Sequence, residues 1–238
     1  MERFQGNGDL KRFVEYCQNN QVDFSVPDMK YYSCVALCAF DAVFSIRANY
    51  EKLVSPTMDR FCELLGIQRK APNPEVMPEE NEQIKVSDLA EMLKMYSPSQ
   101  LADAINNRQR TDTKKDSILK TQAFYEYMEV FRQFKVDTYQ DLNDIVRGNP
   151  KFEASLRVIR GQANVAVTYF LMLAGDVNGV KVDTQLTRFA QNAVGRRMNQ
   201  EEISDLFKRA AEYYSQNGYP DMTPRHLDHI VWNWQRAR

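Results

Sequence analysis

Apolar residues recur along this chain with the period of an α-helix. Leu10, Phe13, Val14 and Cys17 are spaced i, i+3, i+4, i+7, which predicts a short helix with one buried stripe. Tyr31 to Phe44 is an almost unbroken apolar run, too apolar for a surface helix, and is expected at the centre of a helical core. Ser55-Pro56 reads as an N-cap and first turn, Met58, Phe61, Cys62 and Leu65 repeat the stripe, and Gly66 closes it. Ala71 to Asn81 holds three prolines and several glutamates and reads as a loop. Ser87 then opens a helix striped by Leu89, Met92, Leu93 and Tyr96, and Ser97-Pro98 starts a shorter one through Leu101, Ala104 and Ile105. After the polar run Asn106 to Asp116, the residues Phe124, Tyr127, Met128 and Phe131 mark a long helix from about Asp116 to Phe134. Asp137 to Val146 is helical by pattern, Gly148-Asn149-Pro150 interrupts it, and Lys151 to Ile159 leads to a turn at Gly161.

A very apolar helix follows that turn, then a second turn at Asn178-Gly179 and a helix opened by Asp183. Asn199 with Glu202 is a capping box ahead of the stripe Ile203, Leu206, Phe207 and Ala210. Thr223-Pro224 opens the last helix, with Leu227, Ile230, Val231 and Trp234 on one face. There are no internal repeats and no alternating strand pattern of useful length, so the expected class is all-α.

Composition narrows this modestly. The 238 residues suffice for one sizeable domain or two small ones, with plentiful charge and only 9 Gly and 9 Pro. No apolar run approaches the ~20 residues of a membrane span. The polar start, MERFQGNGDLKR, lacks a signal-peptide core, and the chain reads as cytoplasmic, with no membrane partner. Cys17, Cys34, Cys38 and Cys62 show no Cys-x-x-Cys spacing and are expected as free buried thiols. A net charge of −1 argues against a field that attracts polyanions to the whole molecule. Locally, Arg147 to Arg197 holds eight Lys/Arg against three Asp/Glu, while Pro72 to Glu91 is acidic. The basic segment can grip a short run of phosphates, or it can be ordinary scatter of surface charge.

The most specific stretch is Val158 to Phe189. Its second half reads Val182-Asp183-Thr184-Gln185-Leu186-Thr187-Arg188, and its first half Ile159-Arg160-Gly161-Gln162-Ala163-Asn164. Together they resemble the core of the helix-hairpin-helix/Gly-Pro-Asp superfamily of DNA base-excision glycosylases, in which a glycine hairpin and an apolar helix precede a Val-Asp-Thr-x-x-x-Arg segment with the catalytic aspartate. The resemblance implies a single unit over 1–238 made of two helical subdomains with an active cleft between them. The first would combine residues 1–70 with about 176–238. The second, about 81–175, would be inserted and contain the hairpin. It also implies a monomer acting on duplex DNA with a flipped base.

The implied roles fall on particular residues. The amides around Gly161, Gln162, Ala163 and Asn164, backed by Arg160 and Arg157, would hold a DNA phosphate at a helix N-terminus. A plain helix–turn–helix corner is the alternative. The family's second glycine is Ala163 here, its common proline is Arg160, and its lysine nucleophile falls on Val165, so the implied activity is monofunctional, releasing a base without cutting the strand. Asp183 is an ordinary N-cap by pattern and the catalytic carboxylate by resemblance, and the two roles are compatible. Arg188 has two open readings, a phosphate contact or an ion pair with an acid. Phe40 and Asp41 lie where a base wedge or pocket would be expected. Phe40 and Phe44 also read as core, and Asp41 as an acid paired with Arg47. His226 and His229 are spaced i, i+3, and the one acid nearby, Asp228, is expected to point to a different face, so no metal is expected. No cysteine follows Cys62, which leaves the iron–sulfur cluster of some superfamily members without ligands; no cofactor is expected.

Overall fold

The computed structural model describes residues 8–238, the side chains of residues 147 and 148 excepted. The described residues form twelve α-helices and no strand, with only the isolated bridges Tyr32–Lys70 and Arg110–Leu119. The class is all-α.

The helices fall into two units. One is drawn from both chain ends, Met1–Met29 (described from residue 8) and Asp176–Arg238, and the other is Lys30–Gly175. Residues 30–70, expected with the chain ends, therefore belong to the middle unit. The physical reason is the apolar helix α2 (Val35–Ser45), ten of whose residues are buried. Its Phe40 ring lies 4.2 Å from Phe44, 4.3 Å from Phe61 and 5.2 Å from Phe124, so the helix is committed to the elements that follow it.

In the middle unit α2 is followed by a π-helical turn, Tyr50–Val54, that runs into α3 (Ser55–Leu65). Ser55 is not the N-cap: Asn49 accepts from the Lys52 amide at 2.9 Å and starts the helical run earlier. Gly66 does end it, at φ +65. Next come α4 (Val86–Leu93), α5 (Pro98–Ala104), α6 (Lys120–Phe134), α7 (Tyr139–Gly148), α8 (Pro150–Arg157) and α9 (Asn164–Leu173). Ser87 does not cap α4 from within. Its amide and hydroxyl instead donate to the Asp137 carboxylate at 2.7 and 3.0 Å, a cap supplied from just before α7. Helix α6 begins at Lys120, four residues later than its stripe suggested. Lys120 is buried, and its Nζ donates to the carbonyls of Phe44 and Ile46 at 2.9 and 2.6 Å and to Gln109 at 3.0 Å. A cation thus satisfies the C-terminal carbonyls of α2. Burial, aided by the Arg47 charge, lowers this lysine's pKa to about 8.

The end unit packs α1 (Gly8–Asn19), α10 (Thr184–Val194), α11 (Gln200–Gln216) and α12 (Pro224–Arg236) around Phe13, whose ring meets Phe189 and Phe207 edge-on at 5.4 and 5.3 Å. The predicted capping box of Asn199 with Glu202 and the Thr223 cap are both present. No helix among the described residues is long and apolar enough to cross a membrane.

Candidate functional site

In the end unit, the chain enters α10 through a short turn anchored by the buried side chains of Val180 and Val182. The Asp183 amide donates to the Lys181 carbonyl at 2.7 Å. The carboxylate of Asp183 then caps α10 with one oxygen, Oδ1, which accepts from the Gln185 and Leu186 amides at 2.8 and 3.1 Å. Its Oδ2 meets no hydrogen-bond or ion-pair partner among the described residues, and the residue is part-exposed. The geometry is a fixed anion at a helix N-terminus with one oxygen to spare. Arg188, on the same helix, is exposed and makes no ion pair with a described residue.

The turn before Asp183 is itself held from α12. Asp228 Oδ2 accepts from the Lys181 amide at 2.6 Å, and the Arg225 amide donates to the Val177 carbonyl at 3.1 Å. Asp228 is 2% exposed. Its burial pushes its pKa well above the carboxylate range; the Lys181 amide and charge oppose this, and the charge of Asp183 reinforces it. Sequence reading passed over Asp228 except as a metal ligand. The available signal was its place beside Leu227 and one turn before Val231 and Trp232, on the margin of the apolar face.

In the middle unit, the Gly161 turn joins α8 to α9. Gly161 has φ +84, and a Cβ there would lie 2.5 Å from the Cβ of Thr111. The positive φ and the close packing against the 107–119 loop both require glycine at this point. Arg160 is turned to the same loop, 3.1 Å from Asp112 and 2.6 Å from Asp116. The Lys114 amide, followed by Arg160, holds the Asp112 carboxyl below its usual value. Gln162 is buried; its Oε1 accepts from Tyr127 at 3.2 Å while its Nε2 has no partner among the described residues. Ala163 is the N-cap of α9 with no side-chain cap, and both Ala163 and Asn164 are exposed. The Asn164 side chain accepts from Arg157 at 2.9 Å, and Arg157 also pairs with Glu153. The uncapped start of α9 keeps the anion-attracting character of any helix N-terminus, but the cation expected beside it is already neutralised. Val165 is a part-exposed residue of α9 and supplies no amine.

Phe40 and Asp41 are not at a surface. Both have no exposed area, Phe40 lies in the aromatic cluster described above, and a wedge must reach outward, so that expectation is corrected. Asp41 is not paired with Arg47. Its Oδ2 accepts from the hydroxyls of Tyr32 and Tyr50 at 2.5 and 3.2 Å and its Oδ1 from Ser45 at 2.8 Å. Three hydroxyl donors satisfy this buried acid. Arg69 Nη2 donates to Tyr50 at 3.1 Å, and Lys70 Nζ lies 3.8 Å from the centre of the Tyr32 ring.

The ring of His226 meets the Val26 carbonyl at 2.6 Å and that of His229 meets Asn233 at 3.0 Å, so the two imidazoles do not converge. No group of three His, Cys, Asp or Glu able to hold a metal occurs among the described residues. All four cysteines are free and buried, and burial raises their thiols to between about 11 and about 12.

No curated protein and no solved structure matches this chain. One family model does, over residues 9–236, and the chain therefore belongs to the family described as Domain of unknown function (DUF8548).

Proposed function

We propose that this protein is a DNA glycosylase-like hydrolase of the helix-hairpin-helix kind, with that superfamily's arrangement of two helical subdomains, and that Asp183 is its catalytic carboxylate. The observation that carries the reading is the division of labour within Asp183: Oδ1 caps α10 and Oδ2 is left without a partner among the described residues. When an N-glycosidic bond breaks, its electron pair leaves with the base and positive charge develops on the sugar. A carboxylate already fixed by two amides stabilises that charge without reorganising. Water then bonds to C1′ and loses a proton; a neutral base takes one up as it departs, whereas a cationic base leaves neutral without it and the proton passes to solvent. With Val165 in place of an amine, no Schiff base forms and the strand stays intact.

The direct test is base release by the purified chain from duplexes carrying one 7-methylguanine, uracil or 8-oxoguanine each, with Asp183→Asn in parallel. The methylated guanine is the most sensitive probe, because its cationic base leaves without needing an acid. Release by the wild type and its loss in the variant support the reading; equal release by both reduces Asp183 to a cap.

A second reading, a non-catalytic DNA-binding or protein-interaction module of the same fold, draws on the Gly161 turn. Arg160 is held by Asp112 and Asp116, and the glycine is filled by Thr111. A salt-dependent gel shift without base release on any of the three duplexes selects DNA binding. Neither shift nor release selects a protein partner.

A further inference from the structure

Asp183 does not stand alone at the head of α10. Its backbone amide is bonded to the Lys181 carbonyl at 2.7 Å, and the Lys181 amide is bonded to Asp228 Oδ2 at 2.6 Å. A continuous path of two hydrogen bonds and one residue therefore links a buried side chain of α12 to the backbone of the candidate catalytic acid. The first turn of α12 grips the same segment again through the Arg225 amide and the Val177 carbonyl, and Arg225 is in turn fixed by Asp28 at 2.6 Å. We propose that Asp228 is the positioning residue for Asp183, setting the angle at which its unpartnered oxygen is presented. This rests on the glycosylase reading of Asp183.

Why should an acid serve here, when serine or asparagine also accepts an amide hydrogen? Asp228 is held by a backbone amide rather than an ion pair, and the charged groups facing it are Lys181 and Asp183 of the turn it holds. The Arg225 guanidinium on its own helix is engaged with Asp28. Burial favours the protonated form, so Asp228 can hold the turn without placing a second negative charge beside Asp183. In that state asparagine is its near-isostere, with a carbonyl oxygen for the Lys181 amide. Alanine has no acceptor and leaves a buried amide unpaired.

The experiment uses the full chain and its Asp228→Asn and Asp228→Ala variants. One readout is the single-turnover release of 7-methylguanine from a duplex, with the half-saturating duplex concentration. The other is hydrogen exchange of the Lys181 and Asp183 amides by NMR. Asp228→Ala is expected to accelerate exchange at both amides and to slow release about 100-fold, with half-saturation unchanged, as a small displacement of a reacting group does. Asp228→Asn is expected to restore both. Should Asp228→Ala fail to fold, the wild type still decides, through the NMR coupling across the hydrogen bond from the Lys181 nitrogen to the Asp228 carboxyl carbon. Absence of that coupling, wild-type behaviour of Asp228→Ala, or an Asp228→Asn variant as slow as Asp228→Ala each overturns positioning; the last assigns Asp228 to proton transfer instead. If the wild type releases no base from any duplex, the glycosylase reading fails by itself, and amide exchange alone decides whether Asp228 holds the turn.

Discussion

The Gly161 turn and the Asp183 turn carry the two halves of one sequence pattern, and this protein has treated them differently. At Gly161 the groups that would meet a phosphate are engaged with the chain itself: Thr111 fills the space over the glycine, and Asp112 and Asp116 take the Arg160 guanidinium. At Asp183 the chain does the reverse. It fixes the residue from behind, with two amides on Oδ1 and the Lys181 carbonyl on the backbone, and leaves Oδ2 and the neighbouring Arg188 without a partner among the described residues. A sequence pattern thus specifies chemistry only once its polar groups have been accounted for one by one. One half of the pattern is engaged in packing, and the other half holds a carboxylate oxygen with no partner among the described residues.

The contrast is broken most decisively by Asp183→Asn. The amide side chain can still cap α10 through its oxygen, so stability should change by less than about 1 kcal/mol. Base release from the 7-methylguanine duplex should fall by about 100-fold to 1,000-fold, the loss typical of removing one preorganised electrostatic group. A variant that melts like the wild type and releases base at the wild-type rate would leave both halves of the motif as packing.

Gly161→Ala probes the opposite half. The added methyl meets Thr111 at 2.5 Å and must accept a positive φ, so the cost should be about 2–4 kcal/mol, read from denaturant midpoints. Combining it with Thr111→Gly should recover the steric part and leave the backbone part of about 1–2 kcal/mol. If Gly161→Ala instead keeps its stability and loses only DNA affinity in gel shifts, the turn is a ligand site and the contrast is wrong.

A smaller effect, with a definite sign, is expected from Asp228→Asn. An acid whose folded pKa lies above its unfolded value, about 3.9 for aspartate, binds more protons folded than unfolded, so stability falls as pH rises from about 4 toward the folded pKa. Asparagine does not titrate. The variant should match the wild type near pH 3 and be the more stable of the two at pH 8, by thermal melts at each pH. A wild type that gains on the variant as pH rises would mean that Asp228 is ionised and paired in the folded protein.

These sites were unequally legible in the sequence, for a physical reason. Helix stripes and local caps are short-range, so Phe13 with Cys17, Gly66, the Asn199 box and Thr223 could be read directly from spacing. The groups that decide the chemistry are satisfied by residues far along the chain. Asp137 caps α4 from 50 residues away, Lys120 satisfies the end of α2 from 76 away, and Asp228 holds the Lys181 amide from 47 away. Periodicity places each of these on a helix and says nothing about its partner. Asp41 was missed for another reason: its oddity within an apolar run was visible and its donors Ser45, Tyr32 and Tyr50 lie only 4, 9 and 9 residues away, but helix periodicity does not say how the turns on either side fold Tyr32 and Tyr50 back onto it. Distance along the chain does explain the displaced boundary at residue 30, since only the packing of Phe40 on Phe61 and Phe124 assigns α2 to its unit.

Arg160→Gln should have the smallest effect, and it separates the two turns most finely. Its guanidinium is one-third exposed and held by Asp112 and Asp116 on a neighbouring loop, so the melting temperature should fall by no more than about 2 °C. A cation committed to two carboxylates releases no counterion when DNA binds. The slope of log affinity against log salt should therefore be unchanged in Arg160→Gln, whereas Arg188→Gln, at a residue without an ion pair, should reduce it by about 1. The reverse order would mean that DNA draws Arg160 away from Asp112 and Asp116. Those two carboxylates would then act as a placeholder for phosphate, and the Gly161 turn would recover the role that its resemblance implies.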